Sequence, residues 1–390
     1  MNRRIFVVFV LLGLISLAAD MVYEGARSAS GAYLEYLGAP PIASSIIGVG
    51  EFIGYVLRFV SGVLASYFGS SVAFWGFVAL GYAMNVMVLP LLAFTGFWWI
   101  ATSLYLLERV GKGLRTPVRD VILAEVTEGV GRGKGFGLHE VMDQAGALAG
   151  PLLFAYMLIH FDYSRAFLTL LIPGALAMIF VFTAWSLYPK IKSVEFSPKK
   201  ISFRGVGRRF WLFVLSMTLQ SLGFVHWAIA SYFLKYWGIL GDANIAILYA
   251  IAMGVDALIA FPIGYLYDTI KFKSLYIAPI ATLTITLLLT TRVTTLAYVM
   301  AVLWGVTMGV SETIMRASVA DIAGRSRLAV AYGIFGMLYG VSWSIGGFII
   351  TLLLQLSAPI AIGYATLTQA SSLLMLAVLN RQISSESPHH

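Results

Sequence analysis

The chain has 390 residues, 59% of them hydrophobic and only 11% charged, with a mean hydropathy of +0.87. No ordinary soluble domain of this length is so apolar, and the recurring runs of about 20 apolar residues predict membrane-spanning helices. The net charge of +8 gathers in loops, so it is no nucleic-acid signal, and the absence of cysteine excludes disulfides, thiolate metal sites and cysteine nucleophiles.

Twelve spans are predicted in chain order, at about 5–36, 42–66, 72–94, 97–122, 135–158 and 165–188, then 209–236, 243–267, 274–291, 294–320, 328–355 and 359–380. Met1-Asn2-Arg3-Arg4 before an apolar run has the outline of a signal peptide. Acidic residues inside that run, and no small-residue cleavage site after it, make it a retained first helix instead.

The first span carries charges where they are least expected. At about 100° per residue, Asp20, Glu24, Arg27 and Gly31 fall within roughly 60° of one another on one helix face. A charge near a bilayer centre costs about 2.5–3.5 kcal/mol even on the lenient insertion scale, so this stripe is expected to face a bundle interior or a water-filled cavity. The second span repeats the spacing with Glu51, Tyr55 and Arg58. The fourth holds Glu108 and Arg109 near mid-span, then Lys112, Arg115 and Arg119, and the fifth begins with His139, Glu140 and Asp143. In the fifth, Gly146-Ala147-Leu148-Ala149-Gly150-Pro151 permits close helix approach and bends the helix. The run from Gly131 to Gly137 has the look of a phosphate-binding loop but lacks the Ser or Thr after its Lys and the preceding strand, so it does not support a nucleotide-driven pump.

Between the halves lies a polar connector rich in Lys and Arg. The division is therefore a first six-helix bundle over 1–188, a cytoplasmic connector over 189–208 and a second six-helix bundle over 209–390. The second half is sparser, with Gln220, His226 and Trp227 in the seventh span, Asp256 in the eighth, and Glu312 with Arg316 in the tenth. Basic residues concentrate on one side of the predicted spans, which places both termini and the connector in the cytoplasm. A weak repeat joins the halves: Tyr33-Leu34-Glu35-Tyr36-Leu37-Gly38 parallels Phe233-Leu234-Lys235-Tyr236-Trp237-Gly238, and Phe136-Gly137-Leu138 with Gly150 parallels Tyr332-Gly333-Ile334 with Gly346. Two parallel six-helix repeats account for it, an arrangement common in transporters.

A buried carboxylate is pushed towards its neutral form by desolvation and towards its charged form by a nearby Arg, so a change of partner switches it. The charged stripes thus point to a proton-titratable cavity; the competing account is a set of structural salt bridges. Proton coupling is assigned to Asp20, Glu24, Glu51, Arg58, Glu108 and Arg109, and substrate contact to Arg27, Tyr23, Tyr55, Gln220, His226 and Trp227.

Twelve spans in two repeated halves with a basic central loop resemble the major facilitator superfamily, across essentially the whole chain. Arg109-Val110-Gly111-Lys112-Gly113 is similar to that family's fourth-helix pattern, whose Arg is associated with proton transfer. The stretch from Gly146 to Pro151 is similar to the fifth-helix pattern of its proton-coupled antiporters. Gly264-Tyr265-Leu266-Tyr267-Asp268, followed by Lys271 and Lys273, resembles the helix-to-helix loop that latches the cytoplasmic side. The equivalent place in the first half departs from the pattern, because Gly62-Val63-Leu64-Ala65 is followed by Ser66 where the family has Asp. Gating is accordingly assigned to Gly62, Ser66, Gly146, Gly150, Pro151, Gly264 and Asp268.

The resemblance implies an all-α inner-membrane secondary transporter working by alternating access, monomeric, with a small-molecule substrate and protons as partners and no cofactor or metal. The fourth- and fifth-helix patterns favour export, by proton antiport, of a small cationic, zwitterionic or amphipathic compound. The alternatives are a proton-coupled importer of an anionic or zwitterionic nutrient held by Arg27 or Arg58, a uniporter, and a membrane protein that is not a transporter.

Overall fold

The structure, a computed structural model, describes residues 3–128, 131–191, 207–323 and 328–386. Most of the connector, with Lys192, Lys199, Lys200 and Arg204, lies outside the described residues, as do Arg325 and Arg327.

The chain is helical throughout the described residues, with no strand among them. In the first half the helices are α1 (Arg3–Ser28), α2 (Ser30–Tyr36), α3 (Ile42–Phe68), α4 (Ser71–Val86), α5 (Trp98–Val126), α6 (Arg132–His160), α7 (Tyr163–Thr169) and α8 (Leu171–Leu187). In the second they are α9 (Arg208–Leu222), α10 (Trp227–Tyr236), α11 (Asp242–Ile270), α12 (Ile277–Thr290), α13 (Thr294–Glu312), α14 (Ile314–Ala323), α15 (Leu328–Leu356) and α16 (Ala358–Glu386).

Ten stretches among the described residues are long and apolar enough to cross a membrane. One of them, Asp242–Thr290, runs for 49 residues and holds both α11 and α12, joined by a 3-10 turn at Lys271–Tyr276. α5 is not among the ten, because Glu108, Arg109, Lys112, Arg115, Arg119 and Asp120 interrupt its apolar run. Burial is inverted relative to a water-soluble protein. Phe261, Leu258 and Leu367 are well exposed, whereas Ser16, Asn85 and Gln220 are completely buried. That inversion suits a chain solvated by lipid, where polar groups must be satisfied inside.

The chain divides into two compact units. The first comprises Met1–Ala39, Ile53–Lys199 and Gly241–Ala250; the second comprises Pro40–Phe52, Lys200–Leu240 and Ile251–His390. In the first unit α1 packs against α6 and α8, and α4 packs against α5. In the second, α9 packs against α15 and α16, and α12 against α13.

Close helix approach depends on small residues. A Cβ on Gly150 of α6 would lie 2.3 Å from the Met21 carbonyl oxygen of α1, and one on Gly346 of α15 would lie 2.2 Å from that of Leu222 in α9. The two units therefore repeat one contact, between the glycines and the helices paired in the sequence repeat.

Two helices carry irregularities that the packing repairs. Pro117 inside α5 has no N–H to give the Gly113 carbonyl one turn earlier, and Ser61 Oγ of α3 donates to that carbonyl at 3.2 Å instead. The predicted seventh span is two helices, since α9 ends at Leu222 and α10 begins at Trp227. Neighbouring side chains cap the freed carbonyls. Gln369 Nε2 donates to Gln220 O at 3.2 Å, Tyr364 Oη to Leu222 O at 2.9 Å, and Trp304 Nε1 to Val225 O at 3.1 Å. With no water at that depth, such partners are what makes a break tolerable.

Candidate functional site

The charged residues of α1, α5 and α6 meet in the interior of the first unit. α1 brings Asp20, Tyr23, Glu24 and Arg27, with Asp20 at its contact with α6 and Tyr23 against Lys112, and α5 brings Glu108, Arg109, Lys112, Arg115 and Arg119. Asp20, Glu24, Glu108, Arg109 and Arg115 are all buried. Burying one ion without compensation costs several kcal/mol, so the partner of each charge decides its role.

Glu24 is held from two sides. Its Oε1 lies 3.9 Å from Arg27 Nη1 one turn on, and its Oε2 accepts a short hydrogen bond from Tyr249 Oη, on the part of α11 that belongs to this unit. Glu108 is equally engaged, with Arg109 Nε at 3.0 Å and the buried Asn85 Nδ2 donating to it at 2.6 Å. Arg119 donates to Ser16 Oγ at 3.1 Å and pairs with Asp120 at 2.7 Å. His139 Nε2 stands 3.6 Å from Asp143 Oδ1.

Asp20 differs from these. It is 5% exposed, and among the described residues it makes no hydrogen bond and no ion pair. The charges that act on it are those of Asp143, Lys112, Arg115 and Glu24. Its helix is pressed onto α6 at this level, for a Cβ on Gly146 would come within 2.2 Å of Leu17 O and 3.0 Å of Asp20 Cβ. Lys112 Nζ donates to Tyr23 Oη at 2.8 Å and lies 4.0 Å from the centre of that ring.

Of the other predicted site residues, Tyr55 and Arg58 sit together on α3, with the guanidinium 5.5 Å from the Tyr55 ring centre. Glu51, on the same helix, belongs to the second unit and is half-buried. Gln220, His226 and Trp227 also lie in the second unit, at the break between α9 and α10. Gln220 is completely buried and donates to Thr282 Oγ1 at 2.7 Å. The His226 ring is parallel to Trp343 at 6.2 Å and fills a slot where a Cβ on Gly48 would come within 2.5 Å of it. Trp227 is wholly buried and meets Trp304 edge to face at 5.4 Å. Sequence reasoning missed Asn85 and Tyr249 as carboxylate partners: each is a neutral residue in an apolar run.

The predicted gating residues fall into two groups. In the second unit, Asp268 lies 4.0 Å from Lys271, which also reaches Asp321 at 3.8 Å, and Tyr267 Oη donates to Asp321 at 3.0 Å. A Cβ on Gly264, on the same helix, would meet nothing within 4 Å, one on Gly62 would lie 3.8 Å from Pro117 Cβ, and the side chain of Ser66 lies outside the described residues. In the first unit the turn after α3 ties to the end of α8. Ser71 Oγ accepts from Ile191 N at 2.9 Å, Trp75 Nε1 donates to Tyr188 O at 2.8 Å, and Tyr188 Oη donates to Glu125. Hydrogen bonds, one of them to the Glu125 carboxylate, thus stand beside the position where the family's Asp is replaced. Gly146, Gly150 and Pro151 are buried along α6, on its contact with α1.

An all-helical membrane chain with ten apolar stretches and a buried charged interior has the build of a secondary transporter. The Major Facilitator Superfamily profile matches residues 5–347, and the chain belongs to that family. It is 34% identical over 375 residues to an uncharacterized protein of Mycobacterium tuberculosis, covering 94% of this chain and 91% of that one. It is 27% identical over 387 residues to an uncharacterized MFS-type transporter of Methanocaldococcus jannaschii, covering 94% of each. A crystal structure of a mutant nucleoside transporter NupG superposes with a TM-score of 0.75 at 14% identity, covering 96% of this chain and 99% of that one. The last likeness is one of fold.

Proposed function

We propose that this secondary transporter is driven by protons and that Asp20 carries the proton. The supporting observation is the state of Asp20, a buried carboxylate with no direct hydrogen-bond or ion-pair partner among the described residues, while the buried Glu24 and Glu108 are both engaged. A carboxylate so placed trades protons with least rearrangement, whereas Glu24 must first release Arg27 and Tyr249. Glu24, with Asp143, Lys112 and Arg115, sets the field around Asp20, and Glu108, Arg109, Glu51 and Arg58 are assigned to proton coupling on their spacing in the sequence. Twelve crossings of the inner membrane, both termini cytoplasmic, and a monomer working by alternating access complete the reading. The fourth- and fifth-helix patterns favour antiport with export of a small cationic, zwitterionic or amphipathic compound.

A second reading, uptake of an anionic or zwitterionic solute, is favoured by one observation: α5 holds an ammonium, Lys112, outside any ion pair among the described residues. The test is solute-induced pH change in proteoliposomes, run on the wild type, Asp20→Asn and Glu24→Gln with a cationic, anionic and zwitterionic panel. A proton signal is expected for the wild type and none for Asp20→Asn, and its sign separates antiport from symport. Transport that proceeds equally in Asp20→Asn with no proton signal makes the protein a uniporter and removes Asp20 from the coupling.

A further inference from the structure

Three cations inside the first unit have a counter-ion in contact among the described residues. Arg27 has Glu24, Arg109 has Glu108 and Arg119 has Asp120. Lys112 stands apart. Its Nζ gives one hydrogen bond, to the neutral phenol oxygen of Tyr23, and rests against that ring's face, and among the described residues it forms no ion pair.

The carboxylates that act on Lys112 are Glu24, Asp20 and Glu108. Two of these are fully engaged: Glu24 by Arg27 and Tyr249, Glu108 by Arg109 and Asn85. One turn along α5, Arg115 is also without a carboxylate. Its Nε has no hydrogen-bond partner, its Nη2 reaches Asn85 Oδ1 only at 3.5 Å, and its guanidinium lies 4.2 Å over Tyr82. Two cations of α5 therefore lack a paired carboxylate among the described residues, and the charges of both act on Asp20.

An ammonium has three donors and no acceptor, and a phenol oxygen satisfies only one of them. The face of a tyrosine repays part of the desolvation of a cation, as in sites that hold a cation in reserve. Lys112 as a residue is half-buried, and one of its three donors has a partner among the described residues. We infer that Lys112, resting on Tyr23, is the ligand for an anionic group of the transported solute, a carboxylate or a phosphate. The inference rests on the transport reading above and narrows it: the solute carries an anion, alone or beside a cationic group that Asp20 or Glu24 faces. Purely cationic solutes are excluded.

The test uses the full chain purified in detergent, with thermal unfolding followed against acetate, alanine and inorganic phosphate, and choline as the cation control. At least one anion-bearing probe is expected to raise the unfolding temperature. Its apparent Kd should weaken about tenfold to a hundredfold in Lys112→Gln, the loss of one charge-assisted hydrogen bond, and far less in Lys112→Arg. Lys134→Gln, at an exposed position on α6, should match the wild type. An equal response in Lys112→Gln and the wild type overturns the inference, as does stabilisation by choline alone. Stabilisation by phosphatidylglycerol vesicles with none of the free anions active assigns the site to a lipid headgroup and also overturns it.

If Lys112→Gln does not purify as a monodisperse species, the wild type decides. Acylation of Lys112 by an N-hydroxysuccinimide ester, read by peptide mass spectrometry against Lys134, should fall severalfold with the anion present; no protection overturns the inference. Anion binding that depends on Lys112, with no proton signal dependent on Asp20, keeps this inference and removes the coupling. A proton signal dependent on Asp20 but driven by choline keeps the coupling and removes this.

Discussion

Asn85 divides its amide between two charges inside the first unit, with Nδ2 on Glu108 at 2.6 Å and Oδ1 facing Arg115 Nη2 at 3.5 Å. It is completely buried, so no water replaces either contact once it is lost. Asn85→Leu keeps the number and branching of the side-chain heavy atoms yet withdraws a donor from a carboxylate and an acceptor from a guanidinium. Each buried group left short of a partner costs about 1–3 kcal/mol. The expected outcome is a clearly lower unfolding temperature in detergent, with Asn85→Gln intermediate. An unfolding temperature unchanged in Asn85→Leu shows that Glu108 and Arg115 do not depend on the amide. The carboxylates themselves were legible in the sequence, because an ionisable residue inside an apolar run is improbable unless it faces an interior. Asn85 and Tyr249 were not, since a neutral polar residue in a helix announces no partner. Lys112 was visible as one charge of a seemingly neutralising set; only the side-chain geometry separates it from Arg109 and Arg119.

At the scale of elements, the sequence predicts one seventh span over 209–236, and the structure holds two helices there with a break at residues 223–226. Polar residues do flank the break, with Gln220 and Ser221 before it and His226 at its end, but scattered polar groups and a single glycine, Gly223, are too common in membrane helices to mark it. What permits the break lies in other helices: Trp304 of α13 and Tyr364 and Gln369 of α16 supply the donors that helix geometry no longer provides. Trp304→Phe keeps much of the ring that packs on Phe224 and Trp227 but removes the donor to Val225 O. Interhelical hydrogen bonds of this kind contribute about 0.6–2 kcal/mol. Amide exchange across residues 224–230 is expected to quicken by about threefold to thirtyfold, while α12 exchanges as before. Exchange that stays as slow in Trp304→Phe as in the wild type would show that the capping bond does not hold the break. The turn before α4 gives the converse case. Its missing Asp was plain in the sequence, but the hydrogen bonds of Ser71, Trp75 and Tyr188 that stand nearby join residues more than 60 positions apart, beyond any local pattern.

At the scale of the whole chain, the repeat read from matches about 200 residues apart returns in the contacts, where Gly150 on Met21 and Gly346 on Leu222 are counterparts. Two parallel halves with six crossings each, as proposed, put both termini and the connector on one side, and the bias of basic residues proposes which side that is. Lys273 follows α11 in the turn at Lys271–Tyr276, on the predicted cytoplasmic side, and Val293 follows α12 on the other; both are exposed. The chain contains no cysteine, so single cysteines can be introduced without removing any native one. In intact cells, a membrane-impermeant maleimide is expected to label Val293→Cys, and to label Lys273→Cys only after permeabilisation. Labelling of Lys273→Cys alone in intact cells would invert the orientation and move the basic loops to the outer face, against the bias that sets topology. Labelling of both in intact cells would mean that α12 does not cross. That outcome would leave the stretch from Asp242 to Thr290 with a single crossing and break the parallel between the halves, so this experiment tests the repeat and the orientation together.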